Sequence, residues 1–483
     1  MLNLRELILV LKENDYRSFV KSFKKNKAEK FLLLTQCLRN ARLTEEEIIR
    51  KLDLNANAYY ILKFRVYQKI KEFLSAQLSY SKTDLYVNIS LIPNLLYNTS
   101  KKEARLVLEQ LEEDLLQNDM SYALAIVYSA LKKVHAGSPQ FFHYSRQYNK
   151  NMAYIATIDK AEDLLVNFNK TLGDYFISRN SELLDLLLFI KKEMSATSKL
   201  YNSHHLNMYK LILDISLAVT IPEIEQEEDE PIEDMLEAMN NIFTTFPNNP
   251  VYQHLDKVYQ YFAFEYYHGI GIHKKAASFL ETISETLPSF LLYNFCVFPS
   301  KILISKLEHY RALKKQHLLF EENKELIKEY DADPENEANF INYFKYLAVS
   351  AFYSKKYVDA IDYLNTIVTR LSIRNYIHAD IEIKLLLVIC NSLIEKYSVA
   401  AVSLKSVIRK TSEMEGNEYE HVKILCKLLK MQSYSTMQPF DKMLEMRDAF
   451  LHLNKGNYRV LEWIDFSDDL ILSLGKPPGA EEW

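Results

Sequence analysis

Apolar residues recur at i, i+3, i+4 and i+7 in nearly every segment of the chain, which is the spacing of one face of an α-helix. In residues 104–116, glutamates occupy the opposite face, and the apolar set is Ala104, Leu106, Val107, Leu108, Leu111, Leu115 and Leu116. Residues 123–134, 155–168, 183–194, 276–287 and 357–367 show the same pattern. No convincing run of strict alternation appears, so the sequence predicts an all-α fold.

Helix breakers divide these segments into short units. Proline stands with glycine, asparagine or aspartate in 135–139, 246–250, 331–334 and 475–478. Residues 222–237 contain nine acidic residues and no basic one, which predicts an acidic loop or linker. The predicted organisation is a basic helical domain at 1–80, helical hairpins at 81–221, an acidic linker at 222–240, helical repeats at 241–465 and a flexible tail at 466–483.

A repeat is visible at a shift of 40 residues. Tyr357, Ala360, Leu364 and Ile367 align with an aromatic, small, large and aliphatic set at Tyr397, Ala400, Leu404 and Val407. Upstream, the same spacing of small, large and aliphatic residues recurs at Ala276, Leu280 and Ile283. Alanine lets two helices approach closely, and the large residue four positions on fills the next gap. The pattern therefore predicts stacked helix pairs.

These residues resemble the tetratricopeptide repeat, a helix–turn–helix unit. The resemblance is clearest over about residues 340–410, where the first copy also places Leu347, Ala348 and Ala351 on family positions. The spacing is 40 residues where the family has 34, so longer loops or helices are expected. The resemblance implies antiparallel helix pairs stacked as an α-solenoid.

In such arrays the first helix of each pair lines a concave groove that binds a peptide. The resemblance assigns this groove to Asn342, Lys345, Val349, Phe352 and Tyr353. A partner peptide would stack on Phe352 and Tyr353, while Asn342 and Lys345 hold its carboxylate or backbone. The alternative is that both aromatic rings serve packing between helices.

The N-terminal region offers a second functional hypothesis. Thr44 and Glu47 have the spacing of a capping box, and Asn55 can cap a following helix, so residues 43–71 predict a helix-turn-helix outline. Its second helix carries the candidate DNA contacts Lys63, Arg65, Lys69 and Lys71. Residues 1–80 hold sixteen Lys and Arg against nine Asp and Glu, a net charge of +7 in a chain of −5 overall. An ordinary αα-hairpin has the same outline.

Composition argues against most enzyme classes. The 483 residues include only 8 glycines, under a quarter of the average usage of about 7%, whereas phosphate-binding loops need glycine. No HExxH, GxxxxGK[ST] or GxSxG motif occurs. His268 and His273 flank Gly269 and Gly271, which predicts a turn between helices. We therefore expect no enzymatic activity, no cofactor and no metal site.

The chain has no cleavable leader pattern, and its apolar runs are shorter than the roughly 20 residues that cross a bilayer. The sequence thus predicts a cytoplasmic, non-enzymatic helical scaffold that is not inserted in a membrane and binds a protein or peptide. The alternative hypothesis is a DNA-binding regulator with a helical sensor domain. An anionic partner would suit the basic N-terminal region.

Overall fold

The computed structural model describes residues 4–11, 13–25, 28–40, 43–78, 84–222, 224, 230–247, 249–293, 295–414, 417–431 and 440–475. Within these ranges the secondary structure is entirely helical and includes no strand, as the apolar spacing predicts. Among the same residues, no helix has both the length and the apolar character needed to cross a bilayer.

The α-helices vary in length from one turn to more than ten. In chain order, α1 to α25 are Leu4–Val10, Glu13–Lys25, Glu29–Arg39, Glu45–Lys51, Ala56–Leu78, Asp84–Ser90, Ile92–Asn98, Lys101–Gln117, Ser121–Val134, Gln140–Ser178, Glu182–Ser198, His204–Thr220, Ile232–Thr245, Pro250–Gly269, His273–Ser284, Leu287–Phe290, Lys301–Ala312, Leu319–Glu329, Glu337–Tyr353, Tyr357–Arg370, Ile377–Leu393, Tyr397–Glu413, Glu420–Lys430, Phe440–Leu453 and Asp468–Gly475. Two short 3₁₀ helices lie at Gln316–Leu318 and Ile373–Asn375.

The chain divides into two compact units. The first comprises residues 1–158 and 246–253, and the second comprises residues 159–245 and 254–483. These limits differ from the boundaries drawn on the sequence at residues 80, 221, 240 and 465. Helix α13 begins inside the acidic segment 222–240, and α25 lies inside 466–483 with Ile471 and Leu474 buried.

The first unit contains two apolar clusters. One gathers side chains of α1 to α5, including Ile8, Leu34 and Val66, and the other centres on α8 and α9, including Leu108 and Leu131. The predicted capping box at Thr44 is present, because Glu47 N–H donates to Thr44 and Thr44 N–H donates to the Glu47 carboxylate. In α8 the predicted inward face is buried except at Leu116, which is 54% exposed.

Helix hairpins in both units share one turn geometry. A residue with positive φ follows the helix, and the next N–H donates to the carbonyl five residues back, as in the Schellman motif. This residue is Asp119 between α8 and α9, Gly271 between α14 and α15, Lys355 between α19 and α20, and Glu395 between α21 and α22. Only one of the four is glycine, although the left-handed conformation favours glycine.

In the second unit, the 40-residue spacing found in the sequence reappears in the helices. Helices α19 and α21 begin 40 residues apart, as do α20 and α22. Helix α19 packs on α20, and α21 packs on α22. Ala360 and Ala400 are buried, with Leu364 and Leu404 one turn further along. The burial of the two alanines agrees with the close helix contact that the sequence pattern predicts.

Candidate functional site

A non-helical segment near the C-terminus lies on side chains of four helices of the second unit. This segment, residues 456–466, connects α24 to α25 and buries Val460, Leu461, Trp463 and Phe466. Asn454 fixes its start, because its side-chain amide donates to Val460 O at 2.8 Å and accepts from Val460 N at 2.8 Å. These two hydrogen bonds hold the backbone between Asn454 and Val460 in a defined conformation.

Polar side chains bind the main chain of segment 456–466. Arg311 of α17 donates to Glu462 O at 2.8 Å, and Leu461 N–H donates to the Glu382 carboxylate of α21 at 3.0 Å. His421 Nε2 of α23 lies 3.0 Å from Tyr458 O. These contacts bind main-chain atoms, so they do not require particular side chains in the segment.

Tyr353 of α19 makes the closest approach to the backbone. Its hydroxyl donates to Trp463 O at 2.7 Å and accepts from Asp465 N–H at 3.0 Å. One phenol thus satisfies two backbone groups that no helix or strand pairs. Burial raises the pKa of Tyr353, so the hydroxyl keeps its proton at neutral pH.

A buried ion pair supports the same surface. Lys345 of α19 donates to the Glu382 carboxylate, and its Nζ lies 4.2 Å from the centroid of the Trp463 ring. Burial alone would raise the pKa of Glu382, but Lys345 and His378 outweigh it and hold the pKa at about 2. Burial lowers the pKa of His378 to about 3, against the opposing effect of Glu382. At neutral pH, Glu382 is therefore charged and His378 is neutral.

A polar cavity of about 180 Å³ adjoins the segment. Charged residues of both signs line it, namely Arg179, Lys301, Glu308, Lys345, Glu382, Arg459 and Glu462. Arg459 pairs with Glu462 at 2.5 Å, and Arg179 Nη2 lies 3.8 Å from the same carboxylate. Burial raises the pKa of Glu462, and the two arginines oppose this shift. Within the lining, Glu462 therefore lies between two arginines, and Lys345 pairs with Glu382.

The predicted groove residues take different places. Lys345 and Tyr353 contact segment 456–466, Val349 is buried, and Asn342 Nδ2 lies 3.4 Å from Ser300 Oγ. Phe352 packs on Tyr357 of the following helix, with ring centroids 5.8 Å apart. Peptide stacking on Phe352 would therefore compete with packing between helices, whereas Tyr353 acts through its hydroxyl.

Residues that the sequence analysis passed over complete the surface. Glu382, Arg311, His421 and Trp463 are widely separated in the chain, and only the tertiary fold brings them to one segment. One signal was available in the sequence: His378, Asp380 and Glu382 lie close together in α21, which is mostly apolar. Buried charges are rare without partners, so this triplet marks a polar site.

The candidate DNA contacts lie in the first unit on α5. Lys63 Nζ donates to Glu45 Oε1 at 2.5 Å and lies over the rings of Tyr59 and Tyr60, so α4 already binds its charge. Arg65 and Lys69 are exposed, and the side chain of Lys71 lies outside the described residues. DNA binding through this helix stays a prediction.

No protein-family model, curated protein or solved structure matches this chain. The proposal below therefore depends on the geometry of the described residues.

Proposed function

We propose that the second unit is a helical-repeat module that binds a polypeptide, and that segment 456–466 occupies its binding surface as an internal ligand. The observation that carries this proposal is the set of side chains from α17, α19, α21 and α23 that bind backbone groups of one non-helical segment. Recognition through main-chain groups, with buried aromatic anchors such as Trp463, is a common way to bind peptides.

The repeat architecture belongs to the same proposal. Helices α19 to α22 form two tetratricopeptide-like units of an α-solenoid, and α19 and α21 line its concave face. The repeated turn at Lys355 and Glu395 and the buried Ala360 and Ala400 support this arrangement. Stacked helix pairs of this kind provide extended surfaces for partners.

The internal ligand regulates the binding of partner peptides by the module. A partner peptide must displace segment 456–466, which is tethered and therefore present at an effective concentration of roughly millimolar. A fitting partner peptide has an aromatic side chain that packs against Lys345 and backbone groups that hydrogen-bond to Tyr353. In segment 456–466, the ring and the carbonyl of Trp463 make these two contacts. The module binds weak partners poorly until the segment is released.

Hydrogen–deuterium exchange tests whether the segment behaves as a ligand or as part of the core. In the wild type, we expect the amides of Leu461 and Asp465 to be protected by Glu382 and Tyr353. In Trp463→Ala, the segment should lose protection while α19 to α22 keep theirs. Leu453→Ala, an exposed position just before the segment, serves as the control. Loss of protection throughout α19 to α22 would show that the segment is core and would overturn the proposal.

A second function, DNA binding through α4 and α5, has less support. The pair between Lys63 and Glu45 and the short turn at Asp53 suit an ordinary helix hairpin. We therefore place polypeptide binding first.

A further inference from the structure

Three histidines from three helices meet in the second unit. His268 is near the end of α14, His273 begins α15, and His309 lies on α17. One ring nitrogen of each lies within 4.8 Å of one nitrogen of the other two. The sequence predicts a turn at His268 and His273, and no sequence pattern connects them with His309.

The turn between α14 and α15 creates the first half of this arrangement. Gly271 adopts φ +75°, and Ile272 N–H donates to Tyr267 O at 2.8 Å. This closure reverses the chain within three residues, so His273 returns beside His268 with ring centroids 6.4 Å apart. Glycine adopts this φ without the strain that a Cβ would add.

His309 supplies the buried part. It is 1% exposed, and neither ring nitrogen has a hydrogen-bond partner among the described residues. Buried polar groups normally have a partner, and each unpaired one costs free energy. The two nearest imidazoles lie 5.4 Å and 5.9 Å away by ring centroids, so His309 points toward groups that are themselves metal ligands.

His268 also has a ring nitrogen without a hydrogen-bond partner in the part of the chain that the structure describes. Its Nδ1 is buried without a partner among the described residues, while its Nε2 lies 3.9 Å from Glu308 Oε2. Metal-bound histidines usually direct their second nitrogen to a carboxylate, which fixes the ring and raises its basicity. A small rotation of the Glu308 side chain would bring its carboxylate within hydrogen-bond distance of Nε2 and leave Nδ1 for an ion.

We propose that His268, His273 and His309 form a three-histidine site for Zn²⁺. Zinc prefers imidazole nitrogens at about 2.0–2.1 Å in tetrahedral geometry, which separates the ligand nitrogens by about 3.3 Å. The three nitrogens lie within 4.8 Å of one another. Side-chain rotations would bring them to the separation that zinc requires. Three protein ligands leave a fourth position, and the exposed His273 gives solvent access to it. The ion binds water or an exogenous ligand there.

Calorimetric titration of ZnCl₂ into the chelator-treated full-length chain tests the site. We expect one Zn²⁺ per chain with a dissociation constant in the micromolar range or below. His273→Ala should weaken binding by about tenfold or more, and because His273 is exposed this variant keeps the fold. The exposed His452→Ala should bind as the wild type does, and Mg²⁺, which prefers oxygen ligands, should give no heat of binding.

Two results would overturn the proposal. One is the absence of Zn²⁺ binding by a wild-type chain with a normal circular dichroism spectrum. The other is binding that His273→Ala and His452→Ala affect equally, because the ion would then be held elsewhere on the surface. Substitution of Co²⁺ gives a second readout, since a four-coordinate Co²⁺ has strong visible absorption that His273→Ala should remove.

Discussion

Lys345 and Glu382 form an ion pair between α19 and α21, and both side chains are 9% exposed. The pair joins the first helices of two helix pairs, α19–α20 and α21–α22, whose sequences match at a shift of 40 residues. It also contacts segment 456–466, because Glu382 accepts from Leu461 N–H and Lys345 lies over Trp463. The same two residues therefore connect the fold with the proposed binding surface.

Removing one member of this pair should destabilise the chain strongly. We expect Lys345→Met or Glu382→Gln to lower the free energy of unfolding by about 3–5 kcal/mol, because each leaves a buried charge without its partner. The double variant should lose less than the sum of the two. Urea denaturation measures all three, and additive losses would show that the two side chains do not interact.

Stability should fall with acid through His378. Its pKa is lowered to about 3 in the folded chain, against an ordinary value of about 6.5. The unfolded chain therefore binds the proton first, and stability falls as the pH drops below 6.5. The groups that face His378 are Glu382, Lys345, Arg179, His421 and Tyr419.

The comparison of wild type with His378→Gln isolates this effect. Between pH 6.5 and 4, their difference in unfolding free energy should change by about 1.4 kcal/mol per pH unit. The exposed His452→Gln should follow the wild-type profile. A constant difference between wild type and His378→Gln would mean that His378 is protonated equally in both states.

Glycine should stabilise the repeated turns. Lys355 and Glu395 hold φ values of 58° and 61°, which are unfavourable for residues with a Cβ. We expect Lys355→Gly and Glu395→Gly each to raise the unfolding free energy by about 0.5–1 kcal/mol. Val358→Gly, an exposed position inside α20, should lower it by a similar amount. Thermal melts distinguish the two signs.

Overfilling the contact at Ala360 should destabilise the helix pair. Ala360 is fully buried, whereas Val358 on the same helix is 58% exposed. Ala360→Trp should cost about 1–3 kcal/mol or more, and Val358→Trp should change stability little. Equal melting temperatures for the two variants would contradict the close approach of α19 and α20.

Local sequence patterns predicted the helices well, but the site less completely. The spacing of apolar residues identified α8, α20 and α22, and the repeat located the buried Ala360 and Ala400. The family resemblance predicts that Lys345 and Tyr353 contact a partner peptide, which stays a prediction; in the structure both contact segment 456–466. Arg311, His421 and His309 could not be found this way, because each acts with residues distant in the chain and no local pattern records those contacts.

The contacts of segment 456–466 also could not be predicted from local sequence patterns. Its buried Val460, Trp463 and Ile464 have the i, i+3, i+4 spacing of a helix, so the sequence gave no indication of a non-helical segment that packs against α19 and α21. The sequence predicts a flexible tail at 466–483, whereas α25 lies within this range. Tertiary contacts at Ile471 and Leu474 account for its order.

Fluorescence polarisation of a labelled peptide of residues 456–468 tests the central claim most directly. Trp463→Ala weakens the internal ligand by about 3–5 kcal/mol, so we predict that the added peptide binds this variant and not the wild type. Adding Tyr353→Phe should weaken binding about tenfold, since two backbone contacts are lost, whereas Tyr363→Phe should not. Absence of binding to Trp463→Ala, or binding insensitive to Tyr353→Phe, would contradict a peptide-binding surface on α19 and α21.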